Sequence, residues 1–269
     1  MGRYICVTCG TEYPDSAQPL AACRTCLDPR QFVNWSGQAW TGRTELAAGH
    51  KNRFGTEEFG VEWVVTEPQF AIGQRAFLLQ TPSGNVLWDC LSLIDQATVN
   101  WIKRRGGAMA IAVSHPHFYS AMASWSEALG GIPVYLHAND REHVVQAPAH
   151  VEYWQGDRLA LLPGVTLLRT GGHFEGSAVL HFSAGAGGKG ALFPGDSIRV
   201  AMDRRWVCFM RSYVNFVPLG AKAINGILAA IGGFPFDRLY GYWPGFNVIG
   251  EADTCVLRSA ERHLAAISS

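Results

Sequence analysis

Two histidines separated by a single residue, His115 and His117, follow an apolar segment at residues 108–113 that reads as a buried strand. In an extended loop, residues two positions apart point the same way, so both imidazoles can face one metal ion. Histidine pairs of this kind also occur at surfaces and in hydrogen-bonded cores. The pair therefore predicts a metal site only in combination with further ligands.

Two later segments supply such ligands. Residues 165–170 read as a second strand and lead directly into His173, and residues 191–193 read as a third strand and lead into Asp196. Side chains at the carboxyl ends of strands meet at one edge of an open α/β sheet. Three imidazoles and one carboxylate suit zinc or iron(II) better than calcium or magnesium.

The chain resembles the metallo-β-lactamase superfamily of metal-dependent hydrolases over about residues 50–269. The superfamily pattern H-x-H-x-D-H is matched at His115 and His117, the pattern G-H-x-x-G-S at residues 172–177, and the G-D turn at residues 195–196. The resemblance implies an α+β fold, a four-layer αββα sandwich, with His115, His117, His173 and Asp196 as metal ligands.

Three positions depart from the superfamily pattern. Tyr119 replaces its aspartate, Ser120 replaces its third histidine, and Trp243 lies in the region of its last histidine. In two-metal relatives these positions serve the second ion. The sequence therefore predicts one ion in the main domain, zinc by ligand preference, with iron as an alternative.

A three-histidine zinc site with an open position lowers the pKa of a bound water to about 7, which yields hydroxide at neutral pH. Asp196 is expected either to be a fourth ligand or to hold that water and take its proton. Tyr119 is expected to donate a hydrogen bond to a developing oxyanion. The function predicted first is hydrolysis of an ester, lactone, thioester or amide. The alternatives are iron-dependent oxidoreductase chemistry and a non-catalytic relative that only binds metal.

Four of the seven cysteines form two C-x-x-C pairs near the N-terminus, at Cys6, Cys9, Cys23 and Cys26. Paired C-x-x-C turns place four thiolates around a tetrahedral metal, so residues 1–40 are predicted to be a zinc ribbon. The first pair also resembles a rubredoxin turn, which leaves iron open. Residues 41–269 are predicted to be the metallo-β-lactamase-like domain.

The 269-residue chain has a formal net charge of zero and 16% charged residues, so no basic surface predicts nucleic-acid binding. Neither a membrane-spanning segment nor a signal peptide is recognised, which predicts a soluble cytoplasmic protein. The expected partner is a small-molecule substrate.

The elements that position the site follow from the same patterns. Helices are predicted at residues 44–50, 95–105, 118–129, 219–231 and 251–267, and a hairpin at residues 75–89. Asp89 is expected to hydrogen-bond a metal-bound histidine, and His137 to line the pocket or to begin a helix. Arginines 199, 204, 205 and 211 are expected to hold an anionic substrate or to lie at the surface.

Overall fold

The computed structural model describes residues 2–268. They fall into two compact units, and the first comprises the chain up to Leu136 together with Arg141–Tyr153. The second comprises His137–Asp140 and the chain from Trp154 onward. The predicted boundary between residues 40 and 41 lies inside the first unit and stays a prediction.

The N-terminal part of the first unit is a small module with little regular structure. It contains a two-stranded antiparallel sheet, β1 at Ile5–Cys6 and β2 at Trp40–Thr41, followed by helix α1 at Arg43–Gly49. The helix predicted at residues 44–50 is shifted by one residue, because it starts at Arg43, after Gly42. All four cysteines of the C-x-x-C pairs are buried in this module.

A seven-stranded sheet forms the body of the first unit, and its strands are adjacent in chain order. The strands are β3 Lys51–Glu58, β4 Val61–Glu67, β5 Ala76–Thr81, β6 Gly84–Trp88, β7 Ala110–Ala112, β8 Val134–His137 and β9 Val151–Trp154. The pairs from β3 to β6 are antiparallel, whereas β6, β7 and β8 run parallel. The parallel strands are buried, as apolar parallel strands require.

The helices of the first unit flank the loop that carries His115 and His117. Helix α2, Gln96–Arg104, begins at Asp95, whose carboxylate accepts a 2.6 Å hydrogen bond from the Thr98 amide. The single helix predicted at residues 118–129 is wrong. A 3-10 turn at Pro116–Phe118 is separated from α3, Met122–Ala128, by Ser120, whose φ of 39° interrupts the helical backbone.

The second unit is built on a six-stranded sheet in the order β10-β11-β12-β13-β18-β19. In chain order its strands and helices are β10 Arg158–Leu162, β11 Val165–Arg169, β12 Ala178–Phe182, α4 Gly185–Gly188, β13 Ala191–Phe193, β14 Arg199–Val200, β15 Val207–Cys208, β16 Met210–Ser212, β17 Val217–Pro218, α5 Ala221–Ile231, β18 Arg238–Tyr240, β19 Asn247–Ile249 and α6 Ala252–Ser268. A 3-10 segment at Ala138–His143 precedes β9. Strands β13 and β18 are parallel, and the other pairs of this sheet are antiparallel.

Helices α5 and α6 pack against this second sheet and agree with the predicted helices to within two residues at each end. Their apolar side chains, including Ile224, Ile227 and Val256, join a buried cluster with Leu168 of β11 and Leu239 of β18. Burial of this apolar surface fixes the strand ends from which the loops of His173 and Asp196 emerge. Among residues 2–268, no helix combines the length and the hydropathy needed to cross a membrane.

Candidate metal centres

The four cysteines of the N-terminal module converge on one point. Their sulfurs all lie within 4.8 Å of one another, with 3.6 Å between Cys6 and Cys26 and 3.5 Å between Cys9 and Cys23. A tetrahedral zinc–thiolate site has sulfur–sulfur edges of about 3.7 Å, because each Zn–S bond is about 2.3 Å long. The thiols are free rather than joined in disulfides. The sulfur positions therefore fit a tetrahedral metal ion.

Polar side chains donate hydrogen bonds to two of the sulfurs, those of Cys6 and Cys23. The Gln38 side-chain amide donates to the Cys6 sulfur over 3.2 Å, and the Tyr13 hydroxyl donates to the Cys23 sulfur over 3.4 Å. Hydrogen bonding from Cys26 lowers the pKa of the Cys23 thiol to about 7. Such contacts are typical of thiolate ligands, whose negative charge they stabilise.

The loop after β7 presents His115 and His117. The ring centroids are 5.3 Å apart, both side chains are buried, and their ligand atoms lie within 4.8 Å of each other. The Ser114 hydroxyl lies 2.8 Å from Nδ1 of His115. A histidine that ligates through Nε2 carries its proton on Nδ1, so the Ser114 hydroxyl is placed to accept that proton's hydrogen bond.

Asp89, at the end of β6, fixes the start of this loop. Its carboxylate accepts a 2.8 Å hydrogen bond from the backbone amide of Ser114, the residue before His115. The hydrogen bond from a metal-bound histidine to Asp89, expected from the sequence, stays a prediction. The contact to Ser114 already makes Asp89 an anchor of the histidine loop.

Tyr119 and Ser120 end the same loop. The Tyr119 side chain is buried, with 4% of its surface exposed. The Ser120 hydroxyl accepts a 2.9 Å hydrogen bond from the Gln74 amide, and the Ser120 carbonyl accepts a 3.1 Å hydrogen bond from the Glu12 backbone amide. The position that carries a histidine in two-metal relatives is therefore occupied by a serine engaged in structural hydrogen bonds.

In the second unit, His173 and Asp196 form a buried pair at the ends of β11 and β13. Nε2 of His173 lies 3.6 Å from the Asp196 carboxylate. Nδ1 of His173 donates a 3.2 Å hydrogen bond to the Met210 carbonyl, which directs Nε2 toward Asp196 as a potential ligand. This combination of an oriented imidazole and a nearby carboxylate is the arrangement expected of two ligands of one ion.

Asp140 holds the His173 turn, and sequence reasoning did not identify this role. Its buried carboxylate accepts a 2.7 Å hydrogen bond from the backbone amide of Gly176. A Cβ at position 176 would lie 2.7 Å from that carboxylate, so the close approach requires glycine. Within the turn, the Ser177 hydroxyl accepts from the Phe174 amide over 2.8 Å. The glycine and serine of the G-H-x-x-G-S pattern thus shape the turn.

Two tyrosines contact Asp196, and neither was singled out as functional from the sequence. The Tyr242 hydroxyl donates a hydrogen bond to the Asp196 carboxylate. Burial, followed by the charge of Asp196, raises the pKa of Tyr242 well above its usual value, so its phenol stays protonated. The Tyr213 hydroxyl instead donates to the backbone carbonyl of Asp196 over 3.1 Å. The only available sequence signal was the position of Tyr242 beside Trp243.

Arg199 differs from the other three arginines of its segment. Its guanidinium lies 4.4 Å from the ring centre of Trp243 and 5.1 Å from that of Tyr213. Arg205 pairs with exposed Asp203, and the side chains of Arg204 and Arg211 are exposed. Of the arginines proposed to bind an anion, Arg199 alone is therefore held in place beside the Asp196 turn.

His137 is part of the packing of the second unit. Its Nε2 lies 3.0 Å from the Gly156 carbonyl, and its ring packs edge-on against Trp154 at 4.4 Å. Burial lowers the pKa of His137, so the neutral ring that donates to this carbonyl is favoured. These contacts give His137 a structural role, as a buried histidine at a strand end often has.

Comparison with solved structures defines the fold. The structure of VMB-1 is similar with a TM-score of 0.60 and 14% identity, covering 81% of this chain and 98% of that chain. The mono-zinc form of the metallo-β-lactamase FIM-1 from Pseudomonas aeruginosa gives a TM-score of 0.58 and 15% identity. This match covers 79% of this chain and 96% of that chain. The chain therefore has the metallo-β-lactamase fold, and the predicted fold class is confirmed.

A curated relative defines the family. The uncharacterized protein YmaE of Bacillus subtilis (strain 168) is 43% identical over 272 residues, which cover 100% of this chain and 98% of that protein. The chain belongs to the YmaE family. No protein-family model matches the chain.

Proposed function

We propose that the protein is a metal-dependent hydrolase that uses one ion in its main domain, held by His115, His117, His173 and Asp196. The observation that carries this proposal is the pairing of ligands at strand ends. His115 and His117 follow β7, and His173 and Asp196 follow β11 and β13. The structural neighbours are metallo-β-lactamases, and one of them, FIM-1, is a mono-zinc form, which supports a single shared ion.

The residues fit the proposed ion in their chemistry as well as in their position. Three imidazoles and a carboxylate are ligands that zinc and iron(II) accept. Nδ1 of His173 is occupied by the Met210 carbonyl, and Nδ1 of His115 lies beside the Ser114 hydroxyl. These two imidazoles are thus oriented to use Nε2, as metal-bound histidines with a hydrogen-bonded second nitrogen do.

An ion at this site would lower the pKa of a bound water and polarise the carbonyl of a substrate. Asp196 would hold that water and accept its proton on a carboxylate oxygen, or would complete the ligand set. Tyr242, protonated and hydrogen-bonded to Asp196, would fix the orientation of that carboxylate. Tyr119, buried in the histidine loop, would donate a hydrogen bond to the oxyanion as the substrate carbonyl is attacked.

The single-ion proposal rests on the residues that replace second-metal ligands. The Ser120 hydroxyl is engaged with Gln74, and the Trp243 indole lies against Arg199. Phenol, hydroxyl and indole groups are poor zinc ligands at neutral pH. The mono-zinc form of FIM-1 supports the idea that this fold can be crystallised with a single ion.

We propose zinc for both metal sites and a structural role for the four-cysteine site, because four thiolates leave no position for a substrate. The same four sulfurs suit rubredoxin-type iron, which would support an iron oxidoreductase instead. Colour separates the two directly, since ferric tetrathiolate sites are red and zinc sites are colourless. A red protein as purified, with iron near one equivalent, would favour the oxidoreductase.

The proposed substrate is a small ester, lactone, thioester or amide, and neither nucleic acid nor a membrane is a proposed partner. The formal net charge of zero and the low share of charged residues, 16%, support this choice. We propose that the protein is located in the cytoplasm.

The experiment that tests the proposal compares three alanine variants. His115→Ala and His173→Ala should each lose the main-site metal and the hydrolysis of 4-nitrophenyl acetate, a thioester and a lactone probe. His143→Ala is the control, because His143 is only half-buried and belongs to neither ligand pair. Equal metal content in all three variants would refute the proposed ligands, and metal loss without any wild-type hydrolysis would refute the proposed reaction.

A further inference from the structure

The first C-x-x-C turn contacts the part of the first unit that carries the histidine loop. After Cys9, the chain turns at Gly10, whose carbonyl accepts a 2.7 Å hydrogen bond from the Ser92 hydroxyl. Gly10 has a φ of 79°, and a Cβ there would lie 2.3 Å from the Ser92 oxygen, so the contact requires glycine. The cysteine turn and the segment after β6 are therefore held in direct contact.

Two residues beyond Gly10, Glu12 connects the same turn to the histidine loop. Its backbone amide donates a 3.1 Å hydrogen bond to the Ser120 carbonyl. Ser120 lies three residues after His117 and adopts a φ of 39°, which is unfavourable for a residue with a side chain. The hydrogen bonds from Glu12 and Gln74 hold this residue in that conformation.

The Glu12 side chain is fixed as firmly as its backbone. Its carboxylate, 1% exposed, accepts two hydrogen bonds from the Arg43 guanidinium at 2.6 and 2.9 Å. It also accepts a hydrogen bond from the Ser124 hydroxyl in helix α3. A buried carboxylate with this many donors is stabilised in place, because losing them would leave its buried charge without partners.

The cysteines in turn determine where Glu12 lies. The Cys6 amide donates to the Thr11 carbonyl over 3.0 Å, and the Cys9 sulfur donates to the Thr11 hydroxyl over 3.2 Å. Ile5 pairs with Glu12 in an antiparallel bridge across the turn. A metal bound to Cys6 and Cys9 would stabilise the turn whose last residue holds Ser120.

We propose that the four-cysteine module is a positioning element for the main metal site, and that Glu12 is the residue through which it acts on the His115–His117 loop. This inference rests on the main-site ligands of the proposed function. The loop is held at its start by Asp89 and at its end by Glu12. Metal in the cysteine module therefore raises the affinity of the histidine loop for its own ion.

Thermodynamic linkage makes the coupling reciprocal: each ion strengthens the binding of the other by the same factor. Residues that orient metal ligands typically change metal affinity about 10- to 100-fold when they are lost. We expect a coupling factor in this range. A module that merely added stability elsewhere in the chain would leave the two affinities independent.

The test is a titration of the metal-free, full-length protein with Co²⁺. Tetrathiolate Co²⁺ absorbs strongly in the near ultraviolet and nitrogen–oxygen Co²⁺ does not, so the two sites are followed separately. Cys9→Ser combined with Cys23→Ser should raise the main-site dissociation constant about 10- to 100-fold. Conversely, with the wild-type main site kept filled as the reference, His117→Ala should raise the dissociation constant of the four-cysteine site by the same factor.

A pair of glutamate variants keeps the test decisive if the cysteine variant fails to fold. Glu12→Gln should raise the main-site dissociation constant about tenfold while the tetrathiolate spectrum is retained. Glu127→Gln is the matched control, because Glu127 binds the same Arg3 that approaches Glu12 but is 57% exposed. Equal main-site affinities in the two glutamate variants would overturn the inference.

The outcomes also separate this inference from the proposed function. Wild-type protein with no nitrogen–oxygen Co²⁺ spectrum would refute the main site itself, whatever the module does. If the wild-type protein fills both sites but the main-site affinity is unchanged when the cysteine metal is lost, only the coupling is overturned.

Discussion

The two groups of proposed metal ligands differ in how the chain assembles them. The four cysteines come from residues 6–26 and lie within one small module of the first unit. The histidines and Asp196 come from loops after three strands. The first group is local and consists only of sulfur. The second group is distant in sequence and chemically mixed.

This difference is the one expected between a structural metal site and a reactive one. Four thiolates fill all positions of a tetrahedral ion, so such a site stabilises the folded state and leaves no position for a substrate. A mixed group of imidazoles and one carboxylate can keep a position for water. In this chain the loops of the second group are held by the side chains of Asp89, Asp140 and Tyr242. The cysteine turns are held by side-chain hydrogen bonds from Gln38, Tyr13 and Ser92.

The largest expected effect follows loss of the cysteine metal. Cys6→Ser combined with Cys9→Ser should remove one metal equivalent, because two thiolates cannot hold the ion tightly. The module should lose its folded state as well, since structural zinc contributes about 10–16 kcal/mol of binding free energy in small zinc domains. Elemental analysis at saturating zinc and proteolysis of residues 2–40 measure the two effects.

Cys90→Ser serves as the control for these measurements, because Cys90 is buried away from the four-cysteine group. An unchanged metal content in the Cys6/Cys9 double variant would show that the four sulfurs bind no ion.

The Asp196→Ala variant distinguishes a role of Asp196 in metal binding from a role in catalysis. If Asp196 takes the proton of the attacking water, kcat should fall about 10²- to 10⁴-fold while the main-site metal remains bound to three histidines. Hydrolysis rates and metal content are measured on the same samples. Loss of the ion together with activity would instead make Asp196 an essential ligand, and unchanged kcat would remove it from catalysis.

A smaller effect is expected from the tyrosines around Asp196. Tyr242→Phe removes the hydrogen bond to the carboxylate and should lower kcat/KM about tenfold. Tyr213→Phe is the matched control, because Tyr213 donates to the backbone of Asp196 instead. That variant should cost about 1 kcal/mol of folding stability and leave kcat/KM nearly unchanged. Identical kinetic losses in both variants would contradict a specific role for Tyr242.

Much of this organisation could be predicted from local sequence patterns. The C-x-x-C spacing predicts a cluster because the ligands are close in sequence, and the structure brings the four sulfurs together. Strand-end positions of His115, His173 and Asp196 follow from apolar runs ending in glycine or polar turns. The same reasoning located helices α2, α5 and α6, since amphipathic spacing and capping residues are local signals.

The residues that hold the site could not be predicted in this way. The contacts of Glu12 with Ser120, Asp140 with Gly176 and Tyr242 with Asp196 join positions 36–108 residues apart along the chain. A single sequence carries no signal for such pairings. The break in the helix predicted at residues 118–129 has the same origin, because the positive φ of Ser120 is imposed by long-range hydrogen bonds.

The central claim, that one ion is bound by His115, His117 and His173 with Asp196 beside it, is tested most directly by anomalous scattering from a crystal of the zinc-loaded protein. The account predicts two zinc peaks in all: one among the four cysteine sulfurs, and one within about 2.0–2.1 Å of an imidazole nitrogen of each of the three histidines. Two well-occupied ions about 3.5–4 Å apart in the main site would contradict it.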